Sequence, residues 1–216
     1  MGSQIKRLIE SFIRNIGSAL GRKLRFWYYR TQFKSCGSHI VIEEGVFFEH
    51  PKTMTLGNDI WIDKNSILLA GAFNSKGRKF YKKGVEDIKW GELIIGNNVH
   101  IAPFSLVQAH GGVRIGNNVT IASGSKIYSL SHHYKNLNDE TDLKRYSFSS
   151  MAPKEEQFLI VGNVSIGDKA AIGLNSVILP GSKIPNGTWI SVSSVVSGSE
   201  FIEENSVFSS RTKNDK

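Results

Sequence analysis

The chain has 216 residues, 40% of them hydrophobic and 21% charged, which excludes a disordered polymer and fits one domain with a short appendage. A single cysteine, Cys36, excludes a disulfide scaffold, and no run of about 18 apolar residues offers a transmembrane helix. The net charge of +8 sits at one end: residues 1–35 carry eight cations and one acid, Glu10, while the other 181 residues carry 19 cations and 18 acids. A body so nearly neutral gives no electrostatic footprint for nucleic acid.

Residues 1–35 read as a basic amphipathic helical arm. Ile5, Leu8, Ile9, Phe12, Ile13, Ile16, Leu20 and Leu24, then Trp27 and Tyr28, recur at the spacing of one helix face. Gly17 and Gly21 each weaken such a helix by roughly 1 kcal/mol relative to Ala. Two destinations fit it. The apolar face packs on the body or a sister subunit, as most amphipathic helices do, or residues 1–30 lie on an anionic membrane surface. The start, MGSQIKRLIE, lacks the apolar core and cleavage site of a secretory signal. The cytoplasm, including the inner face of its membrane, is therefore the expected location.

From residue 36 to 208 the chain reads as six-residue units that begin with an aliphatic residue. Residues 56–67 give LGNDIW and IDKNSI; 95–106 give IGNNVH and IAPFSL; 115–126 give IGNNVT and IASGSK. Residues 166–195 give five units in register, IGDKAA, IGLNSV, ILPGSK, IPNGTW and ISVSSV. Each unit predicts a short strand and a corner, with the aliphatic residue inward and small or turn-prone residues at the bend. Three units close one triangular coil, and stacked coils bury an Ile/Val/Leu ladder that no single coil buries alone. An antiparallel barrel or sandwich would instead alternate with period two between hairpin turns. The expected fold is all-β, a parallel β-helix, followed by a tail at 209–216.

Two stretches break the period, 71–92 and 132–158. Long polar insertions in a solenoid emerge as loops, often at the binding surface. In the second, Tyr134, Asp139, Glu140, Asp142 and Tyr146 offer the carboxylates and aromatic faces that sugars use, and equally fit a solvated segment. His132 and His133 stand together at the junction of coil and loop. His39, His50 and His100 lie in or beside strands and read as structural. No pair of histidines has zinc-ligand spacing with Cys or acid support, so no metal is expected. Cys36 precedes the repeats and carries no expectation of a catalytic thiol.

The hexapeptides, followed by SLSHHY at a loop and then by IGDKAAIGLNSVILPGSKI, resemble the left-handed β-helix acyltransferases. The branch is that of galactoside, maltose, xenobiotic and capsule or lipopolysaccharide O-acetyltransferases. The resemblance implies a left-handed coil, acetyl-CoA as donor, and a homotrimer with active sites between subunits. In galactoside-type enzymes the catalytic histidine ends a run that starts at the Ile-Gly of a coil. Here IGNNVTIASGSKIYSLSH places His132 at that position without a gap, with His133 as the fallback. The position of an acceptor-contacting acid is taken by His110, a candidate for acceptor binding. Family position also puts the backbone of Leu174 and Val192 along the pantetheine arm, Ser197 near its far end, and Arg211 or Lys213 at the phosphates. The last two equally fit a frayed basic tail. The chain departs from the pattern at Ala171, where a tryptophan is often seen, and at FSSRTK, which replaces an AGNPA-like segment.

The resemblance implies acetyl transfer to a sugar hydroxyl, of a bacterial surface polysaccharide (lipopolysaccharide O-antigen or capsule) or its precursor. A neutral imidazole takes the hydroxyl proton as the oxygen attacks the thioester, a gain of roughly 10²–10⁴-fold. N-acylation of a nucleotide-linked amino sugar is the alternative. A non-catalytic scaffold or a γ-carbonic-anhydrase-like metalloprotein is a third reading. The latter needs three converging histidines, which the spacing of His100, His110 and His132 does not show.

Overall fold

Each six-residue unit folds into one short strand and one corner. The computed structural model describes residues 2–84 and 88–210. The strands stack into three parallel sheets of six, seven and six strands. One face runs Ser35–Cys36, Met54–Leu56, Leu93–Ile95, Val113–Ile115, Val164–Ile166 and Lys183–Ile184. The second runs Ile40–Ile42, Ile60–Ile62, Val99–Ile101, Thr120–Ile121, Ala171–Ile172, Trp189–Ile190 and Val207–Phe208. The third runs Phe47–Glu49, Ile67–Leu69, Leu106–Gln108, Lys126–Tyr128, Val177–Ile178 and Val195–Val196. The coils form a left-handed parallel β-helix.

Parallel register puts like residues on like. Ile42, Ile62, Ile101, Ile121, Ile172 and Ile190 pair in succession up the second face, and all are buried. The other two faces carry equivalent ladders, from Leu56 to Ile184 and from Phe48 to Val196. This is where the core lies, along the axis of the prism.

The Gly-Asn pair after many ladder residues has its own cause. A Cβ on Gly96 would sit 2.7 Å from the carbonyl oxygen of Gly116 in the next coil. The side chain that follows then bonds the coil before it. Asn97 Oδ1 accepts from Asn58 N at 2.8 Å, Asn117 Oδ1 from Asn97 N at 2.9 Å, and Asp168 Oδ1 from Asn117 N at 2.7 Å. One corner is thus sewn together by side-chain acceptors that satisfy bend N–H groups the strands leave free.

The arm forms two helices rather than one: α1 (Gly2–Asn15) and α2 (Ser18–Arg30). The break falls at Gly17, which is extended, and at Ser18, whose φ is +70°. Arg25 of α2 explains it. Its guanidinium is fully buried and donates from Nη1 to Ile16 O at 2.5 Å and Ile13 O at 3.2 Å, and from Nε to Ile42 O at 2.7 Å. One side chain therefore satisfies the open carbonyl end of α1 and ties it to the first coil. Burial lowers the Arg25 pKa, and Glu43 and Glu44 oppose that shift. Below, Tyr29 and Phe33 meet Phe48 edge-on at 4.8 and 5.1 Å and plug the end of the β-helix.

The two insertions meet. Leu130–His132 leaves the stack and pairs antiparallel with Phe158–Gly162. That strand pairs in parallel with Lys79–Lys83 of the first insertion. The loop between is organised around Asp142, which accepts from Tyr146 Oη at 2.7 Å, Asn136 Nδ2 at 2.9 Å and Lys79 Nζ at 3.3 Å.

Candidate active site

His132 ends its strand opposite Leu159, so the small sheet fixes where its ring projects. Its Nε2 is buried and has no hydrogen-bond partner. The ring lines a pocket together with His110, His50, Arg78, Phe73 and Leu159.

His110 follows the strand Leu106–Gln108 at a corner closed by Gly111 and Gly112. Its Nδ1 lies 2.8 Å from Gly71 O. A carbonyl only accepts, so this nitrogen carries the proton, and Nε2 of the neutral ring keeps its lone pair. Gly71 also touches His50. A Cβ there would lie 2.7 Å from His50 Cδ2, and its φ is +87°. His50 adopts left-handed backbone at the corresponding corner, with φ +51°.

His50, expected as a structural residue beside a strand, thus faces the same pocket as His132. The signal was in the register. Glu49 pairs with Leu69 and Leu69 with Gln108, which stacks the corners holding His50, Gly71 and His110. Hexapeptide counting alone does not show this, because an insertion follows Gly71.

The other expected residues fall elsewhere. His133 turns into the loop, with Nδ1 3.0 Å from Lys135 O and its ring 4.8 Å from Tyr134. Leu174 and Val192 sit on one corner, a coil apart, where Ser193 N donates to Leu174 O at 2.8 Å; each is 46% exposed. Ser197 lies on a turn whose N–H groups converge on the Glu200 carboxylate, at 2.9 Å from both Ser197 N and Gly198 N. None of these three lines the His132 pocket. Arg211 and Lys213 lie outside the described residues. His100 packs against Trp61 with ring centroids 5.4 Å apart and the planes tilted, and His39 pairs with Asp59 at 3.1 Å. Tyr146 is buried under its own loop, not presented to solvent. Among the described residues no three His, Cys, Asp or Glu side chains converge as metal ligands.

No protein-family model matches the chain. Among curated proteins it is similar to the dTDP-4-amino-4,6-dideoxy-D-glucose acyltransferase of Escherichia coli, 27% identical over 164 residues, 76% of this chain and 72% of that one. It is also similar to a protein of Escherichia coli K12 that bears the name of a lipopolysaccharide biosynthesis O-acetyl transferase, WbbJ. That match is 29% identical over 54% of this chain and 56% of the other, little more than half its length. Two kinds of solved structure share the fold. A mutant of AntD, an N-acyltransferase from Bacillus cereus in complex with dTDP and coenzyme A, aligns with TM-score 0.63 at 20% identity, over 84% of this chain and 82% of that one. A maltose O-acetyltransferase from Clostridium difficile 630 aligns with TM-score 0.52 at 17% identity, over 94% and 79%. Repeats, coil and relatives together make this chain similar to the left-handed β-helix, hexapeptide-repeat acyltransferases, whose fold it shares.

Proposed function

We propose that the protein transfers an acetyl group from acetyl-CoA to a sugar hydroxyl, with His132 as general base. The supporting observation is the buried, unpartnered Nε2 of His132 in a pocket shared with His110. A buried imidazole nitrogen without a partner is costly unless a ligand supplies one. The acceptor hydroxyl gives its proton to that nitrogen while its oxygen bonds to the thioester carbon. The C–S bond then breaks, and the imidazolium returns the proton to the thiolate. Backbone N–H groups at a β-helix corner are suited to the transient oxyanion. His110, its ring held by Gly71, orients the acceptor through Nε2.

A homotrimer fits this chemistry. The exposed shelf of Leu174 and Val192 suits a pantetheine arm running in a cleft against a second copy, past Ser197, with Arg211 or Lys213 at the phosphates. The surface polysaccharide, or its precursor, is the acceptor suggested by the likeness to WbbJ. The second reading, N-acylation of a nucleotide-linked amino sugar, draws on the relative that covers more of both chains.

Thiol release from acetyl-CoA against a panel of sugars, oligosaccharides and nucleotide-linked amino sugars separates the two. With a hydroxyl acceptor, His132→Ala should lose about 100-fold or more in kcat. An amine attacks with its own lone pair, so a loss under about tenfold, seen only with amino sugars, would overturn the O-acetylation reading.

A further inference from the structure

The arm divides its chemistry between two sides. The inner side packs on the body. Gly21, Arg25 and Tyr29 of α2 are buried against the first coil. Glu10, the one acid of residues 1–35, turns inward and accepts from Tyr29 Oη at 3.0 Å. Arg22 is held by Glu43 at 2.8 Å.

The outer side is apolar and cationic. Ile5, Leu8, Ile9 and Phe12 follow one another at i, i+3, i+4 and i+7 on α1, and all are exposed, Leu8 at 59% and Phe12 at 68%. On α2, Leu20 and Trp27 stand exposed two turns apart, Trp27 at 62%. Lys23 and Arg30 are exposed cations on α2, on the side of Leu20 and Trp27, whereas Arg7 lines the inner groove with Glu10 and Tyr29. A stripe of this width is what folding normally covers. It is left open here although Arg25 fixes α1 on the body, so the exposure belongs to a docked helix rather than a loose one. Neither helix is long and apolar enough to cross a membrane.

We propose that α1 and the outer side of α2 dock in the plane of an anionic lipid surface. Ile5, Leu8, Ile9 and Phe12 enter the acyl boundary, Trp27 lies at headgroup depth, and Lys23 and Arg30 meet lipid phosphates. Charge decides between occupants. With Glu10 withdrawn, the outer side presents cations without a carboxylate among its described residues, which suits anionic lipid and opposes pairing with an identical cationic arm. This placement does not depend on the transferase reading, because binding is measured without turnover.

The test uses the full-length protein and sedimented vesicles of phosphatidylcholine with one quarter phosphatidylglycerol. Wild type should partition at least tenfold better to these than to pure phosphatidylcholine, and lose most binding in 0.5 M NaCl. Leu8→Glu/Phe12→Glu should lose at least tenfold in partitioning while keeping the wild-type melting temperature and oligomeric state, since both side chains already face outward. Absence of wild-type binding to anionic vesicles would overturn the proposal. So would a double variant that binds normally, or one that changes the oligomeric state by light scattering, which would make the stripe a contact between copies. If the double variant melts early, Lys23→Gln/Arg30→Gln takes its place, and unchanged vesicle binding in that variant overturns the proposal equally.

Discussion

The ring of His110 is locked to the backbone of Gly71, with Nδ1 2.8 Å from the carbonyl oxygen, and the same glycine lies against His50. One backbone position therefore sets both the tautomer of one pocket histidine and the space available to another.

Gly71→Ala should disturb the pocket more than the fold. The new Cβ meets His50 at 2.7 Å, and left-handed backbone adds roughly 1–2 kcal/mol. The expected result is a melting temperature lowered by several degrees and a kcat/KM for acceptor lowered tenfold or more, read by calorimetry and steady-state kinetics.

His110→Ala should separate from His132→Ala in its kinetic signature. In the proposed roles, losing His110 as an orienting group raises the KM for acceptor, whereas losing His132 as the base falls on kcat. The KM for acetyl-CoA should stay within about twofold in both variants. Equal losses in kcat alone would remove the distinction between the two roles.

Arg25→Met should release α1. The variant keeps the volume of the stem but leaves the carbonyls of Ile13, Ile16 and Ile42 unpaired. A loss of about 3 kcal/mol in urea titration is expected, with early proteolysis near residue 16. Arg25→Lys should not restore it, because a point charge does not span three carbonyls.

Acid should loosen the 132–158 loop. Bonds from the Tyr146 hydroxyl, the Asn136 amide, the Lys144 N–H and Lys79 hold the Asp142 carboxyl well below the usual carboxylate range. A depressed pKa contributes stability that is complete above the ordinary value of about 4 and fades as pH falls through the lower folded value. Amide exchange at Tyr146 and Ser147 should therefore be slow at pH 7 and, corrected for intrinsic rate, faster at pH 3. Asp142→Asn should show the loosened pattern already at pH 7.

The hexapeptide frame was readable because a coil's inward position repeats every six residues and is filled mostly by aliphatic side chains; Ile115, Ile121 and Ile127 mark three faces in turn. His132 was singled out by the resemblance to galactoside-type enzymes, counted along that frame. The arm's periodicity was readable too, but not its break at Gly17, because the cause is Arg25, a cation eight residues on that folds back to take the carbonyl of Ile16.

The sequence by itself determined the repeating coil, the buried ladder and the amphipathic arm, since each follows from local period and side-chain type; His132 was singled out by the family resemblance. Only the tertiary structure decided that His50 and His110 share the pocket of His132, that the two insertions pair as one sheet, and that Glu10 turns inward. Those outcomes depend on which coils stack and which distant strands find each other, and that register is set by backbone pairing between segments with no common local signature.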